Sequence, residues 1–180
     1  MTHSELVTAA ADWLYSGAKV ADEFSRGGVR RVKCPVVVTD MTTGNRETPD
    51  AIGWWWGESI LVECKAGKSD YYSDKHKTFR KHPETGMGNY RYYMAPKGLI
   101  SKKSLPEKWG LVEVHLNGRC KTVVVAEFQE ARKEGELIML MSTLRRLPEK
   151  LEGVTCNYYT VNTDRPSRAC VYVEPEGDLL

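Results

Sequence analysis

The sequence predicts an α/β protein built around a mixed β-sheet. Three observations point to this class: a capped helical segment opens the chain, β-rich segments follow in hairpin-like pairs, and helical segments alternate with the later strands. The composition agrees with a globular protein, because 41% of the 180 residues are hydrophobic and 28% are charged. A chain of this length suits one domain and can bury a sizeable core.

The first part of the chain is predicted to form one helix and three strands. Thr2 and Glu5 have the spacing of a capping box, and apolar residues recur at helical intervals until Gly17. Gly57-Glu58 has the length of a two-residue hairpin turn between two apolar runs. We therefore expect a leading helix that Gly17 and then Gly27-Gly28 end or interrupt, followed by strands at 31–39, 52–56 and 59–64.

The second part alternates helices with strands. A polar, basic stretch over 68–81 is most easily a helix, and the tyrosine-rich stretch over 90–95 has the composition of a strand. Asn117-Gly118 is a strong hairpin turn signal between two further strands. The clearest helix spans 134–147, where four apolar residues share one face: Leu137, Met141, Leu144 and Leu147.

The tail after Pro148 contains two short β-rich stretches, at 155–161 and 168–173. We interpret 1–148 as one domain. We interpret 149–180 as a C-terminal β-hairpin appendage, a β-rich extension packed on the same domain.

Several protein classes are disfavoured. No stretch approaches the roughly 18–20 apolar residues of a membrane-spanning helix, and the N-terminus lacks the basic start and apolar run of a signal peptide. The five cysteines form no CxxC pair, which disfavours a zinc ribbon. Their odd number without an export signal indicates reduced thiols in a cytosol. We therefore expect a cytoplasmic protein that does not associate with membranes.

Three charged residues converge at one end of the predicted hairpin. Glu63 and Lys65 are two residues apart at a strand end, so alternation places both on one face and Cys64 on the other. Asp50 opens the preceding strand, and the predicted turn pairs it roughly opposite Lys65. Two carboxylates at this edge would collect a hard divalent cation, with the backbone carbonyl of Cys64 as a further ligand.

Lys65 would lie beside that cation, where it can orient or help deprotonate a water and offset the charge of a phosphate. Such a set suits metal-assisted hydrolysis of a phosphodiester bond. The alternative is a plain solvated pair of Glu63 and Lys65. The apolar run Ile60–Val62 favours the functional interpretation, because it is typical of a central strand whose C-terminal end carries the site.

These residues resemble the PD-(D/E)XK nuclease superfamily. The motif consists of Pro49-Asp50 and Glu63-Cys64-Lys65, behind a leading helix and a valine-rich strand. The following segments are similar to uncharacterised members, often found in phages and mobile elements. In those members a basic helix precedes stretches like 86–100 and 105–111. The resemblance covers roughly residues 4–147 and leaves the tail without a counterpart.

The resemblance implies an αβββαβ restriction-endonuclease-like core flanked by helices, and a nuclease that depends on Mg²⁺ or Mn²⁺. Asp50 and Glu63 would bind the metal and Lys65 would assist the water, with DNA as the expected partner. Glu5 could correspond to an extra acidic ligand of some members, or serve only its capping box. Many members dimerise to cut two strands, so a homodimer is a further expectation. A phage-encoded member would act in the host cytoplasm.

The net charge of +2 hides an asymmetry that fits this partner. Residues 65–103 hold ten Lys and Arg against three acids, a charge of +7, and the remainder carries −5. A basic surface beside the site is what a phosphate backbone requires, although a solvated helix face would have the same composition. The residues predicted to contact nucleic acid are Lys68, Lys75, Lys77, Arg80, Lys81 and Arg91.

Two other functions stay open at this point. The chain could be a non-catalytic module that binds nucleic acid or protein on the same fold, for example as a phage or mobile-element factor. It could also be a structural oligomer built through Trp54-Trp55-Trp56 or through the tail. Alternation places Trp55 on the face opposite its neighbours, so at least one face of that strand is expected to be buried.

Overall fold

The structure is a computed structural model. It describes residues 1–42, 47–74 and 76–146, together with the backbone of 171–173. Within these residues four helices and nine strands are formed. The helices are α1 His3–Gly17, α2 Lys68–Asp74, α3 Thr78–Lys81 and α4 Lys133–Leu144. The strands are β1 Ala18–Ala21, β2 Val29–Val32, β3 Val36–Thr39, β4 Ala51–Trp55, β5 Glu58–Cys64, β6 Tyr90–Pro96, β7 Gly110–Val114, β8 Cys120–Val124 and β9 Val171–Val173.

Seven of the strands form one mixed sheet in the order β8-β7-β6-β5-β4-β3-β9. β3, β4 and β5 form an antiparallel meander, whereas β5, β6 and β7 run parallel to one another. β8 and β9 pair antiparallel at the two edges. The predicted α/β chain with a mixed sheet flanked by helices is therefore confirmed.

β5 is covered on both faces, as its apolar run predicted. Ile60, Val62 and Cys64 are buried on the side of α1. Leu61 is buried on the opposite side, in a cluster that includes Tyr71 of α2 and Met139 of α4. This central position fixes the direction of every side chain at the end of β5, because successive residues point to opposite faces.

The leading helix begins as predicted. The backbone N–H of Thr2 donates to Glu5 Oε2 at 2.7 Å, and the N–H of Glu5 donates to Thr2 Oγ1 at 3.2 Å, which completes a capping box. The helix ends at Gly17, whose φ of +131° suits glycine. α1 packs against β3, β4 and β5 and closes one face of the sheet.

Three predictions about secondary structure were wrong in detail. The strand over 31–39 is two strands, and the first of them pairs with an unpredicted β1 in a separate two-stranded sheet. The basic stretch over 68–81 is two short helices, because Lys77 is extended with ψ 143° and stops a continuous helix. The helix over 134–147 exists, but its buried side is not the predicted one.

On α4 the apolar residues predicted to share a buried face point outward. Leu137 and Met141 are 58% and 55% exposed and Leu144 is 45% exposed, whereas Glu136 and Met139 are buried. Glu136 is buried because its carboxylate accepts hydrogen bonds from Trp54, Ser59 and Gly88. Leu147 lies outside the described residues.

In the predicted appendage, β9 pairs antiparallel with β3, with Val173 opposite Val36. The other predicted tail strand, at 155–161, lies outside the described residues. No helix of the described part is long and apolar enough to cross a lipid bilayer.

Candidate active site

The β4–β5 hairpin brings Asp50 next to Glu63. Ala51 pairs with Val62, so the residue before Ala51 stands beside the residue after Val62. The turn consists of Trp56 and Gly57, with φ of +44° and +85°, one residue earlier than predicted. A one-residue shift of a turn changes the register by two, which moves the partner of Asp50 from Lys65 to Glu63.

Asp50 is held at this end by the backbone of the neighbouring strand. Its Oδ2 accepts the N–H of Cys64 at 2.7 Å, and its Oδ1 lies 3.4 Å from His3 Nε2 of α1. Burial raises the pKa of Asp50 to about 6, and the negative charge of Glu63 adds to that rise. The ionised carboxylate of Asp50 is thus short of compensating positive charge.

Glu63 and Lys65 share one face, and Cys64 is buried on the other, as alternation predicted. Lys65 Nζ lies 3.1 Å from Glu63 Oε2 and 3.2 Å from Asp74 Oδ1, and Asp70 Oδ1 is 3.8 Å away. Burial alone would lower the pKa of Lys65, but the charges of Glu63 and Asp74 outweigh it and raise the pKa. Lys65 is therefore a stable cation, which suits charge stabilisation better than removal of a proton from water.

Arg80 is part of this site rather than of a surface. Its Nη2 lies 3.1 Å from Glu63 Oε1, its Nε donates to Asp74 Oδ2 at 2.7 Å, and its Nη1 is 3.5 Å from Glu47 Oε1. The guanidinium also lies 4.3 Å from the ring of Trp109. Only 3% of the side chain is exposed, so the prediction that Arg80 contacts nucleic acid was wrong.

Asp74 links the two helices to the sheet. Its Oδ2 accepts the hydroxyl of Tyr93 at 2.6 Å, and its Oδ1 lies 2.7 Å from Lys77 Nζ. Burial would raise the pKa of Asp74, but Arg80, Lys77 and Tyr93 stabilise the anion and lower it well below its usual range. Lys77 is 44% exposed and also approaches Glu63 Oε2 at 3.5 Å.

Asp74 and Glu47 were not predicted as site residues. On a continuous helix, positions 74 and 80 would lie about 120° apart around the axis and could not both face the end of β5. The break between α2 and α3 lets Arg80 contact both Asp74 and Glu63. The i, i+3 spacing of Asp74, Lys77 and Arg80 was the available signal. Glu47 stands in a polar loop with no such signal, yet its Oε2 accepts the N–H of Met87 at 2.6 Å, and burial raises its pKa.

The other predicted contacts to nucleic acid divide into two groups. Lys68 and Lys81 are exposed on α2 and α3, and Lys75 lies outside the described residues. Arg91 is completely buried, and its guanidinium donates to the carbonyls of four residues: Gly86, Met87, Gly88 and Glu130. The assignment of Arg91 to nucleic-acid binding was therefore wrong, since the side chain supports the backbone of the 86–88 segment.

Two carboxylates stand at this end of the sheet, those of Asp50 and Glu63, and oxygen is the ligand type that hard divalent cations prefer. Burial, and then the charge of Glu63, raise the pKa of Asp50. Ligand atoms of His3, Asp40 and Asp50 also lie within 4.8 Å of one another in the described part. Glu5, the other predicted ligand, accepts the N–H of Thr2 in the capping box, which was its alternative role; its assignment as a ligand stays a prediction.

Comparisons with known proteins leave the function open. No known family profile matches the chain, and no curated protein is detectably similar. A protein of unknown function from Silicibacter pomeroyi, SPO1766, has a similar structure, with a TM-score of 0.51 at 18% sequence identity. The match covers 81% of this chain and 88% of that chain. The two proteins therefore share a fold.

Proposed function

We propose that the chain is a metal-dependent nuclease of the PD-(D/E)XK type, which hydrolyses phosphodiester bonds and acts on DNA. The observation that carries this proposal is the meeting of Asp50, Glu63 and Lys65 at one end of the β4–β5 hairpin. The order of elements supports it, since α1, the meander β3-β4-β5, α2 with α3, and β6 follow the αβββαβ order that the resemblance implies. The β1–β2 hairpin is then an insertion after α1.

In this proposal Asp50 and Glu63 would hold Mg²⁺ or Mn²⁺, with the carbonyl of Cys64 as a third protein ligand. Such a metal would supply Lewis-acid chemistry for a phosphoryl oxygen and for a water. Lys65 stays protonated between Glu63 and Asp74 and stabilises the charge that develops on the phosphate. Asp74 and Arg80 are positioning residues, because they hold Lys65 and Glu63 in place without facing solvent.

A second function is favoured by one specific observation. Glu63 has three cations within 3.5 Å, namely Lys65, Lys77 and Arg80, which already compensate its charge. A site of this kind could keep the fold and bind nucleic acid or protein without taking up a metal. Calorimetry with Mn²⁺ separates the two proposals: heat that is lost in Asp50→Asn supports the nuclease, and no heat in the wild type supports the binding module.

Cleavage assays test the nuclease directly. Labelled single-stranded and duplex DNA and RNA are incubated with the protein in Mg²⁺, in Mn²⁺ and in EDTA. We expect metal-dependent cleavage that falls by about a hundredfold or more in Lys65→Met, as when one charge-stabilising donor is removed. The matched control is Lys121→Met, which changes an exposed lysine on the edge strand β8. Equal rates in Lys65→Met and Lys121→Met would remove Lys65 from the mechanism.

A further inference from the structure

A cleft opens directly beside Glu63. It has a volume of about 800 Å³ and lies between the segment that contains α3 and the start of α4. Its lining includes Glu63, Lys77, Phe79, Met87 and Arg132. We call this space the Glu63 cleft. A ligand in it would lie against one of the two carboxylates proposed to hold the metal.

Phe79 is the apolar wall of the Glu63 cleft. It is half-buried and belongs to neither of the two core clusters. Among the described residues its ring is not found paired with another aromatic ring, although Tyr71, Tyr93 and Trp109 on the same side of the sheet are paired. A partly open aromatic ring at the mouth of a polar cleft is a platform on which a planar base can stack.

Two half-exposed cations stand on the same cleft. Lys77 is 44% exposed, and its Nζ also lies 2.7 Å from Asp74 Oδ1 and 3.5 Å from Glu63 Oε2. Arg132 is 47% exposed. Arg132 is paired with Glu134 at 2.9 Å, but Glu134 is 70% exposed, so this pair is weak and can exchange for a phosphate. The side chain of His76 also lines the space. Positive charge beside an aromatic platform is the combination that single-strand binding sites use.

The size of the cleft selects among nucleic acids. About 800 Å³ is within the range of pockets that hold a compact organic ligand. It accommodates a short piece of one strand with its base unstacked, and it is too small for both strands of a duplex. The fully exposed ring of Trp56 stands at the opposite end of β5, roughly 20 Å away from Glu63.

We infer that the Glu63 cleft binds a single-stranded segment of nucleic acid, with one base stacked on Phe79 and phosphates at Lys77 and Arg132. This inference rests on the proposed function for its choice of a polynucleotide as ligand. It adds that the protein prefers single strands, or the unpaired end of a duplex, to fully paired nucleic acid.

Binding in EDTA tests the inference without any cleavage. Fluorescence anisotropy is measured with a labelled 12-nucleotide single strand, as DNA and as RNA, and with the blunt duplex of the same sequence. We expect at least one single strand to bind threefold or more tighter than its duplex. Phe79→Ala should weaken single-strand binding threefold or more, and Phe79→Trp should retain it, because stacking on one aromatic ring contributes about a fivefold or larger factor.

The controls distinguish a loss of base stacking from a loss of folding and from a non-specific effect of charge. Trp56→Ala removes a 99% exposed ring far from the cleft and should leave single-strand binding unchanged. Arg132→Gln should weaken binding and reduce its salt dependence, which gives a second test if Phe79→Ala does not fold. A preference for single strands of less than threefold contradicts the inference. So does a loss of single-strand affinity of less than threefold in a folded Phe79→Ala, or an unchanged affinity in a folded Arg132→Gln.

The two proposals can fail independently, and the experiments distinguish the two cases. Single-strand binding that depends on Phe79, without cleavage in Mg²⁺ or Mn²⁺, supports the binding role of the Glu63 cleft and contradicts the nuclease proposal. Cleavage that depends on Lys65, with equal binding of duplex and single strand, supports the nuclease proposal and contradicts the binding role of the cleft.

Discussion

Two buried polar clusters stand at the opposite ends of β5, and they differ in how completely their groups are paired. The site cluster, at the C-terminal end, consists of Glu47, Glu63, Lys65, Asp74, Lys77 and Arg80. The α4 cluster, at the N-terminal end, consists of Trp54, Ser59, Asn89, Lys133 and Glu136. Both join helices to the sheet, and both contain charged groups in a largely buried setting.

In the α4 cluster every buried polar atom has a partner. Glu136 Oε1 accepts from Ser59 Oγ at 2.7 Å and from the N–H of Gly88 at 3.0 Å. Its Oε2 accepts from Trp54 Nε1 at 3.0 Å and from Lys133 Nζ at 3.1 Å. Such a network stabilises and specifies one packing of α4. It also explains why α4 buries its polar side and exposes its leucines.

In the site cluster several buried atoms meet only as ion pairs. Among the described residues, Glu47 Oε1, Asp74 Oδ1 and both Nη atoms of Arg80 lack a hydrogen bond with proper geometry. Each of these atoms nevertheless lies 2.7–3.5 Å from an atom of an oppositely charged side chain. Incomplete pairing in a buried cluster calls for an explanation. Here ion pairs compensate the charges instead, since Asp74 Oδ1 lies 2.7 Å from Lys77 Nζ and Arg80 Nη2 lies 3.1 Å from Glu63 Oε1. The α4 cluster, in contrast, is held by directed hydrogen bonds.

The largest expected effect is on the α4 cluster. Glu136→Ala leaves four donors without their acceptor, so we expect the free energy of unfolding to fall by about 3–5 kcal/mol. Glu134→Ala is the matched control, because it removes a 70% exposed carboxylate from the same helical turn and should change stability by less than about 0.5 kcal/mol. Urea denaturation measures both. Equal decreases in the free energy of unfolding in the two variants would show that the hydrogen bonds of the α4 cluster do not stabilise the fold.

A smaller effect is expected from Asp50 and depends on pH. The pKa of Asp50 in the folded protein is raised to about 6 from a usual 3.8, so the folded state binds more protons between these values. Wild-type stability should therefore fall as pH rises from 4 to 8, by as much as about 3 kcal/mol from this group. Asp50→Asn keeps an acceptor for the N–H of Cys64 and has no such loss.

The measurement is the difference in unfolding free energy between Asp50→Asn and the wild type at pH 4 and at pH 8. The free energy of unfolding of Asp50→Asn should increase relative to that of the wild type as pH rises. Mn²⁺ should reduce this difference at pH 8, because it would stabilise the wild type alone. A difference that does not change with pH would mean that Asp50 is not destabilised by burial and by Glu63.

Local sequence patterns predicted the secondary-structure elements that carry the site. The capping box located α1, and the apolar run before Glu63 identified β5 as a central strand. Alternation separated Cys64 from Glu63 and Lys65, and it placed Trp55 on a buried face of β4. These features depend on residues close together in the chain, whose geometry is set by the strand or helix itself.

The partners of the site depended on long-range packing and were missed. Arg80 and Arg91 looked like surface cations in a basic block, but each is buried by groups that approach from distant segments, such as Glu47 and the carbonyl of Glu130. The register of the hairpin was off by two because Trp56 adopts positive φ, which a bulky residue rarely does. Composition also indicated an apolar face of α4, whereas Glu136 decides its orientation through contacts 48 to 82 residues away.

The smallest change in stability is expected at Lys65, where function should suffer most. In Lys65→Met the two nearest carboxylates, those of Glu63 and Asp74, keep other cations, since Lys77 and Arg80 each lie near both. The third neighbour, Asp70, is 49% exposed. Replacing a buried charge by an apolar side chain of similar length then changes the free energy of unfolding by less than about 1 kcal/mol, and can increase it. Urea denaturation in EDTA measures this change. A decrease in the free energy of unfolding as large as that of Glu136→Ala would show that Lys65 stabilises the fold, as the α4 cluster does. That result would contradict a role of Lys65 that is mainly in the chemistry of the site.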